Sequence, residues 1–159
     1  MMNADRFLVI VRASAWYDLL VTWPFATPWT FTWVYAGLAV WSSRLGFAGM
    51  MPAPDPVHVL FANLLGSVVT VWSLARILAP STTLGRLDAL ARVLFAAWQL
   101  HAWMAGASGI VLFFTAFELI FGLLQLMPVH SGDTLAPRRV SLPVQREAAE
   151  RPQALAAKR

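Results

Sequence analysis

The chain has 159 residues, is 58% hydrophobic and only 13% charged, and carries a formal net charge of +4. Soluble domains average about 45–50% apolar and about 25% charged residues, so a chain this apolar, with a mean hydropathy of +0.62, calls for a bilayer as its solvent. It contains no cysteine, which excludes disulfides, thiolate metal sites and cysteine nucleophiles.

At the N-terminus, residues 7–11 make only five consecutive apolar positions before Arg12. A signal peptide needs an apolar core of about 7–15 residues, so no cleaved signal peptide is expected. Residues 7–23 read as a first span that carries Arg12 and Asp18 and is broken by Pro24 and Pro28. Thr27 and Pro28 then look like the cap and first-turn proline of a helix over about 28–45. A second span over 56–79 opens on Asp55 as N-cap with Pro56 at its first position, and Arg76 lies near its end. The third, 84–105, follows Ser81 and pairs Asp88 with Arg92 four residues apart. The fourth, 108–127, is closed by Pro128. Each is long enough to cross about 30 Å of hydrocarbon. Residues 131–159 are polar, interrupted by proline and mixed in charge, with six basic and three acidic side chains. That composition predicts a flexible basic cytoplasmic tail following a membrane domain over 1–130.

Charge asymmetry sets the expected orientation. Arg76, Arg86 and Arg92 surround the connection between the second and third spans, which places that connection in the cytoplasm. The AGASG turn at 105–109 has no charge and fits the far side. Working backwards, 7–23 spans while 28–45 lies along the outer face, and both termini are cytoplasmic. Trp16, Trp23, Trp29, Trp33, Trp41, Trp98 and Trp103 then fall in the outer half, where indole rings favour headgroup level. The expected fold is an all-α integral membrane protein of the cell (inner) membrane, multi-pass, a bundle of four transmembrane helices plus an interfacial Trp-rich helix on the outer face.

Ionisable groups within a membrane are costly, and each needs a reason. Glu118 is the sharpest case, lying about ten residues, or roughly 15 Å, from either end of its helix. It is expected to be protonated, paired, or facing a wet cavity, and Gln125 shares its face. Arg12 either snorkels inward or pairs with Glu118. Asp18 sits about 7–8 Å below the outer end of its span, shallow enough to reach headgroups or cap the broken backbone near Pro24. Tyr17 next to it is a further polar candidate. Asn63, Ser67 and Thr70, beside Ala62 and Gly66, read as a packing seam in which small residues allow approach and polar ones bond across. Gln99 and His101 are two residues apart and so point to nearly opposite sides of one helix. His58 reads as a headgroup-level residue. The histidine and carboxylate spacings of metal sites are missing, as are phosphate loops and GxSxG, so no metal or other cofactor is expected. Half of the twelve basic residues sit in the tail, and most others at helix ends, which argues against nucleic acid as a partner.

Two functional classes follow. The first is an accessory or assembly subunit of a larger membrane system, with the bilayer and another membrane protein as its partners. The alternative is an intramembrane enzyme or carrier for a lipophilic ligand such as a quinone, isoprenoid or lipid, with Glu118 and Asp18 as acid–base groups and His101 lining the pocket. A stand-alone transporter is poorly supported, since the four short spans hold neither an inverted repeat nor a pair of broken helices.

Overall fold

Four polar caps and two first-turn prolines set the helix boundaries. The side chains of Asn3, Thr27, Asp55 and Ser81 each accept a hydrogen bond from a first-turn backbone N–H, and Pro28 and Pro56 stand where no N–H is needed. The computed structural model, which describes residues 2–130, accordingly runs through α1 (Ala4–Thr22), a single 3-10 turn (Trp23–Ala26), α2 (Pro28–Arg44), α3 (Pro56–Leu78), α4 (Thr82–Met104) and α5 (Val111–Leu126). The all-helical expectation holds. The tail expected over 131–159 lies outside the described residues.

The helices form two pairs. α1 packs along α3 and α4 along α5, and α1 also touches both helices of the second pair. Close approach is made at glycines: a Cβ on Gly85 would lie 2.6 Å from Val11 and 2.7 Å from Phe7, and one on Gly66 would lie 2.4 Å from the backbone carbon of Phe25. A two-residue parallel bridge joins Met2–Asn3 to Val129–His130, fastening the start of α1 beside the end of α5. At the opposite end, the segment after α2 is stitched to the α4–α5 turn by Met50 N–H to Gly106 O (2.9 Å), Ser108 N–H to Met50 O (3.1 Å) and Gly109 N–H to Ala48 O (2.8 Å). The Ser42 and Ser108 hydroxyls are also hydrogen-bonded there.

The distribution of polarity is inverted. Among the described residues, buried polar and charged side chains outnumber buried apolar ones, eleven to eight, so apolar burial is not what fills the interior. On α3 the inward positions are Gly66, Val69, Ser73 and Arg76. Val57, Leu60, Phe61, Leu64, Leu65, Val68, Val71, Leu74 and Leu78 are all exposed. The same inward stripe at helical spacing recurs as Gly85, Asp88, Ala89, Arg92 and Ala96 on α4, and as Thr115, Glu118, Gly122 and Gln125 on α5. Among the described residues, one helix, Pro56–Leu78, is long and apolar enough to cross a membrane, with a mean hydropathy of 1.7 over its best window. α5 is equally apolar in character but only 16 residues long. In α1 and α4 the inward charges Asp18, Asp88 and Arg92 lower any average taken round the whole helix.

The seam expected at Asn63, Ser67 and Thr70 needs correction. Gly66 does allow the 3-10 turn to approach, but Thr70 Oγ1 donates to its own helix at Gly66 O (2.7 Å) and Ser67 is exposed. The amide nitrogen and oxygen of Asn63 are buried without a hydrogen bond. Backbone proximity, not polar bonding across helices, makes this contact.

Replacing Gly66 by Ala therefore forces α3 away from the Phe25–Ala26 backbone and is expected to cost about 1–3 kcal/mol, read as a lower melting temperature in detergent. Gly37, on α2, has nothing within 4 Å of a built Cβ, so Gly37→Ala is expected to stabilise by about 0.5–1 kcal/mol through helix propensity.

A second expectation concerns pH. The His58 backbone N–H holds the Asp55 carboxyl below its usual range, helped by the His58 side chain and the Val57 N–H. A carboxyl with a lowered folded-state pKa contributes stability above its unfolded pKa and loses it as pH falls through the folded value. Hydrogen-exchange protection of the Val57 and His58 amides should thus fall on acidification, and Asp55→Ala should abolish the acid step while Asp55→Asn keeps the cap.

Candidate functional site

The inward stripes of α1, α3, α4 and α5 converge on one buried network of five charges. Arg76 Nη2 donates to Asp18 Oδ2 at 2.6 Å, and Arg76 Nη1 lies 2.5 Å from Asp88 Oδ2. Arg92 spends all three of its nitrogens: Nε on Asp88 Oδ2 (3.1 Å), Nη1 on Glu118 Oε2 (2.8 Å) and Nη2 on Asp18 Oδ2 (2.7 Å). Each arginine thus holds a carboxylate within its own helix pair and another in the opposite pair. Both guanidiniums also face a ring, Arg76 over Trp72 (5.6 Å) and Arg92 over Phe121 (5.1 Å).

Neutral groups complete the network around Asp88 in particular. Gln125 Nε2 donates to Asp88 Oδ2 and to Ser14 Oγ, both at 2.8 Å, and Trp72 Nε1 donates to Asp88 Oδ1 at 3.1 Å. Ser14 Oγ itself reaches Asp88 Oδ2 at 3.4 Å. Both oxygens of Asp88 are therefore bonded. Asp18 and Glu118 differ from it. Each uses only its second oxygen, and among the described residues Asp18 Oδ1 and Glu118 Oε1 receive no protein hydrogen bond.

Those two carboxylates end a cavity of about 500 Å³, and its lining also includes Tyr17, Gln99 and Gly66. Aromatic rings make much of the wall, from Phe25 in the 3-10 turn to Phe95, Trp98 and Phe114 on α4 and α5. Along α5 the cavity runs from Glu118 to Val111, about 10 Å at the helical rise. Leu38 of α2 lies across its far end with Ala62 and Ala102. A smaller space of about 220 Å³ in the cleft between α3 and α4 shares Asp18, Glu118, Leu65, Val69 and Phe95 with it. No family model, curated protein or solved structure matches this chain. The site is accordingly argued from its own geometry.

The expected site residues divide into two groups. Asp18, Glu118, Tyr17 and Gln99 come together at the cavity, and Gln125, fully buried, lies beneath it in the network. Gln99 Oε1 accepts from Thr115 Oγ1 at 2.8 Å, and the Tyr17 ring stacks on Phe117 (4.8 Å, 17°) with its hydroxyl buried and unbonded. His101, Arg12, Asn63 and His58 stand elsewhere. His101 is exposed against the edge of Trp98, and His58 is an exposed partner of Asp55 (2.9 Å). Arg12 is exposed and Asn63 is not part of the cavity. Among the described residues, no group of three or more His, Asp or Glu side chains is arranged to hold a metal ion.

Two expectations are corrected here. Glu118 pairs with Arg92, not Arg12, because Arg12 projects from the outer side of α1 while Val11 and Ala15 face in. Asp18 is no shallow headgroup-level acid. It is only 9% exposed and bridges both arginines, since Arg76 extends along the bundle to meet it from the other end of α3. Sequence reasoning missed Arg76 as a network residue, and for Arg92 it found the Asp88 partner but neither Glu118 nor Asp18. Both were otherwise read as topology markers, yet their place at three- and four-residue steps behind Gly66, Val69 and Ser73, and behind Gly85, Asp88 and Ala89, is a signal for an inward face.

With all five groups ionised, two arginines against three carboxylates leave the network one negative charge in excess. Removing a cation aggravates that excess, so Arg76→Met is expected to destabilise by about 3–5 kcal/mol, measured by thermal or denaturant unfolding in detergent. Glu118→Gln removes the excess and keeps the shape. It should leave the melting temperature unchanged or raise it, whereas Asp88→Asn, at the saturated position, should lower it.

Proposed function

We propose that the protein is a multi-pass membrane bundle, with α1, α3, α4 and α5 as its spans and α2 lying at the membrane surface, and that it binds a lipophilic molecule through a polar head. The observation that carries the binding reading is the aromatic cavity of about 500 Å³ that ends on two carboxylates with unused oxygens. A cavity of about 300–1,000 Å³, apolar along its walls and polar at one end, suits a small amphiphile. The head would lie at Asp18 and Glu118, and the tail against Phe25, Phe95, Trp98 and Phe114. The cleft between α3 and α4 offers a side entrance from the lipid.

The membrane reading is supported by the inverted polarity. Long apolar stripes face outward on α3, α4 and α5 while charges gather inside, and exposed apolar surface on that scale needs lipid or protein to cover it. A second reading, as an accessory subunit, is favoured by α2, whose Trp29 and Trp33 are each 79% exposed. Rings at headgroup level account for the same exposure without a partner protein, so the ligand-binding reading is preferred.

Topology is testable because the chain has no cysteine of its own. Ala53→Cys should react with a membrane-impermeant maleimide in intact cells and Thr83→Cys only after permeabilisation; reaction of both from one side would sink the four-span arrangement. Binding is tested by solvent extraction and mass spectrometry of protein purified in mild detergent. An amphiphile in near-stoichiometric amount is expected, and Ala62→Phe, which fills the cavity, should deplete it. Protein free of such a molecule, with Ala62→Phe matching the parent in uptake of lipophilic probes, would overturn the reading.

A further inference from the structure

Resting on that reading of the cavity, we infer that its ligand is a lipophilic cation, an apolar body carrying an ammonium-like or other delocalised positive charge. Three features select this charge. The first is the asymmetry of charge: the charged groups in the cavity's lining are Asp18 and Glu118, each with an unused oxygen beside the neutral Tyr17 and Gln99, and Arg92 lines only the smaller adjoining space. Every nitrogen of Arg92 is already committed to a carboxylate. An anionic head would meet two carboxylates in a low-dielectric site with no free cation to offset them.

The second is the charge count. The network carries three carboxylates against two arginines, and an uncompensated buried charge is costly. A neutral ligand leaves that charge in place. A cation balances it. The third is the wall, where Tyr17, Phe25, Phe95, Trp98 and Phe114 present rings to the space, and ring faces attract cations most strongly where water is excluded.

The groups that face Glu118 are Tyr17 and Asp18 from α1, Arg76 by way of Asp18 from α3, and Asp88 and Arg92 from α4.

A shape-matched series isolates charge: tetraphenylphosphonium, neutral tetraphenylmethane and tetraphenylborate, titrated into the purified full-length chain in neutral detergent and followed by tryptophan fluorescence. Tetraphenylphosphonium should bind roughly tenfold or more tighter than either counterpart. It should lose its advantage in Glu118→Gln, whose folding is checked by its melting temperature. Ala62→Phe should weaken it. Equal or tighter binding of the neutral or anionic probe at an Ala62→Phe-sensitive site overturns the cation inference and leaves the lipophilic site standing. So does full retention of charge preference in folded Glu118→Gln. Failure of all three probes to bind at an Ala62→Phe-sensitive site overturns both.

Discussion

Everything in this structure depends on five charges that have been taken out of solvent together. Breaking a buried ion pair by losing one member costs several kcal/mol, while the intact pair contributes little net stability. The network therefore acts less as a source of stability than as a demand for one particular arrangement of helices. Arg76 joins α3 to α1 and to α4, and Arg92 joins α4 to α1 and to α5. A rotation of any of these helices by one residue strands a charge. The exposed apolar faces are tolerant of rotation, since one leucine face resembles another, so register has to come from inside.

The same demand explains the inverted helices. Once arginines and carboxylates occupy the inward stripe, the positions around them must be small enough to let backbones close on the network. Gly85 admits Phe7 and Val11, Gly66 admits the Phe25–Ala26 turn, and Gly122 faces the Arg92 side chain at 3.5 Å from a built Cβ. Large apolar residues are then left to the outside, where Leu64, Val68 and Val71 of α3 are exposed. Burial of charge, close approach at glycine and an apolar exterior form one pattern.

Much of the backbone was legible from the sequence because helix ends are local events. Asp55 followed by Pro56, Thr27 by Pro28, and Ser81 each announce a helix start through groups within three residues of one another, and those caps are formed. Glu118 was legible as a residue in need of a partner, since its position in mid-helix is also a local fact. Its partner was not. Arg12 and Arg92 are both candidates by depth, and only the azimuth of each helix decides between them, which depends on how four helices pack at once. Asp18 was misjudged for a related reason: distance from a helix end measures depth along one helix and says nothing of an arginine extending toward it from another. The inward glycine–small–charge stripes on α3 and α4 carried the missing information, but hydropathy averaged round the helix erases it.

Within the network the three acids are not equivalent, and the difference follows from their neighbours. Asp88, on the first turns of α4, is surrounded by Ser14, Trp72, Arg76, Arg92 and Gln125 and has both oxygens bonded. Asp18 and Glu118 line the cavity, where neither the Tyr17 hydroxyl nor Gln99 is hydrogen-bonded to them. The cavity opens beside these two carboxylates, and among the described residues no protein donor reaches their second oxygens. Asp88, with both oxygens bonded, ties α4 to the other helices, and Asp18 and Glu118 are where that framework faces the cavity.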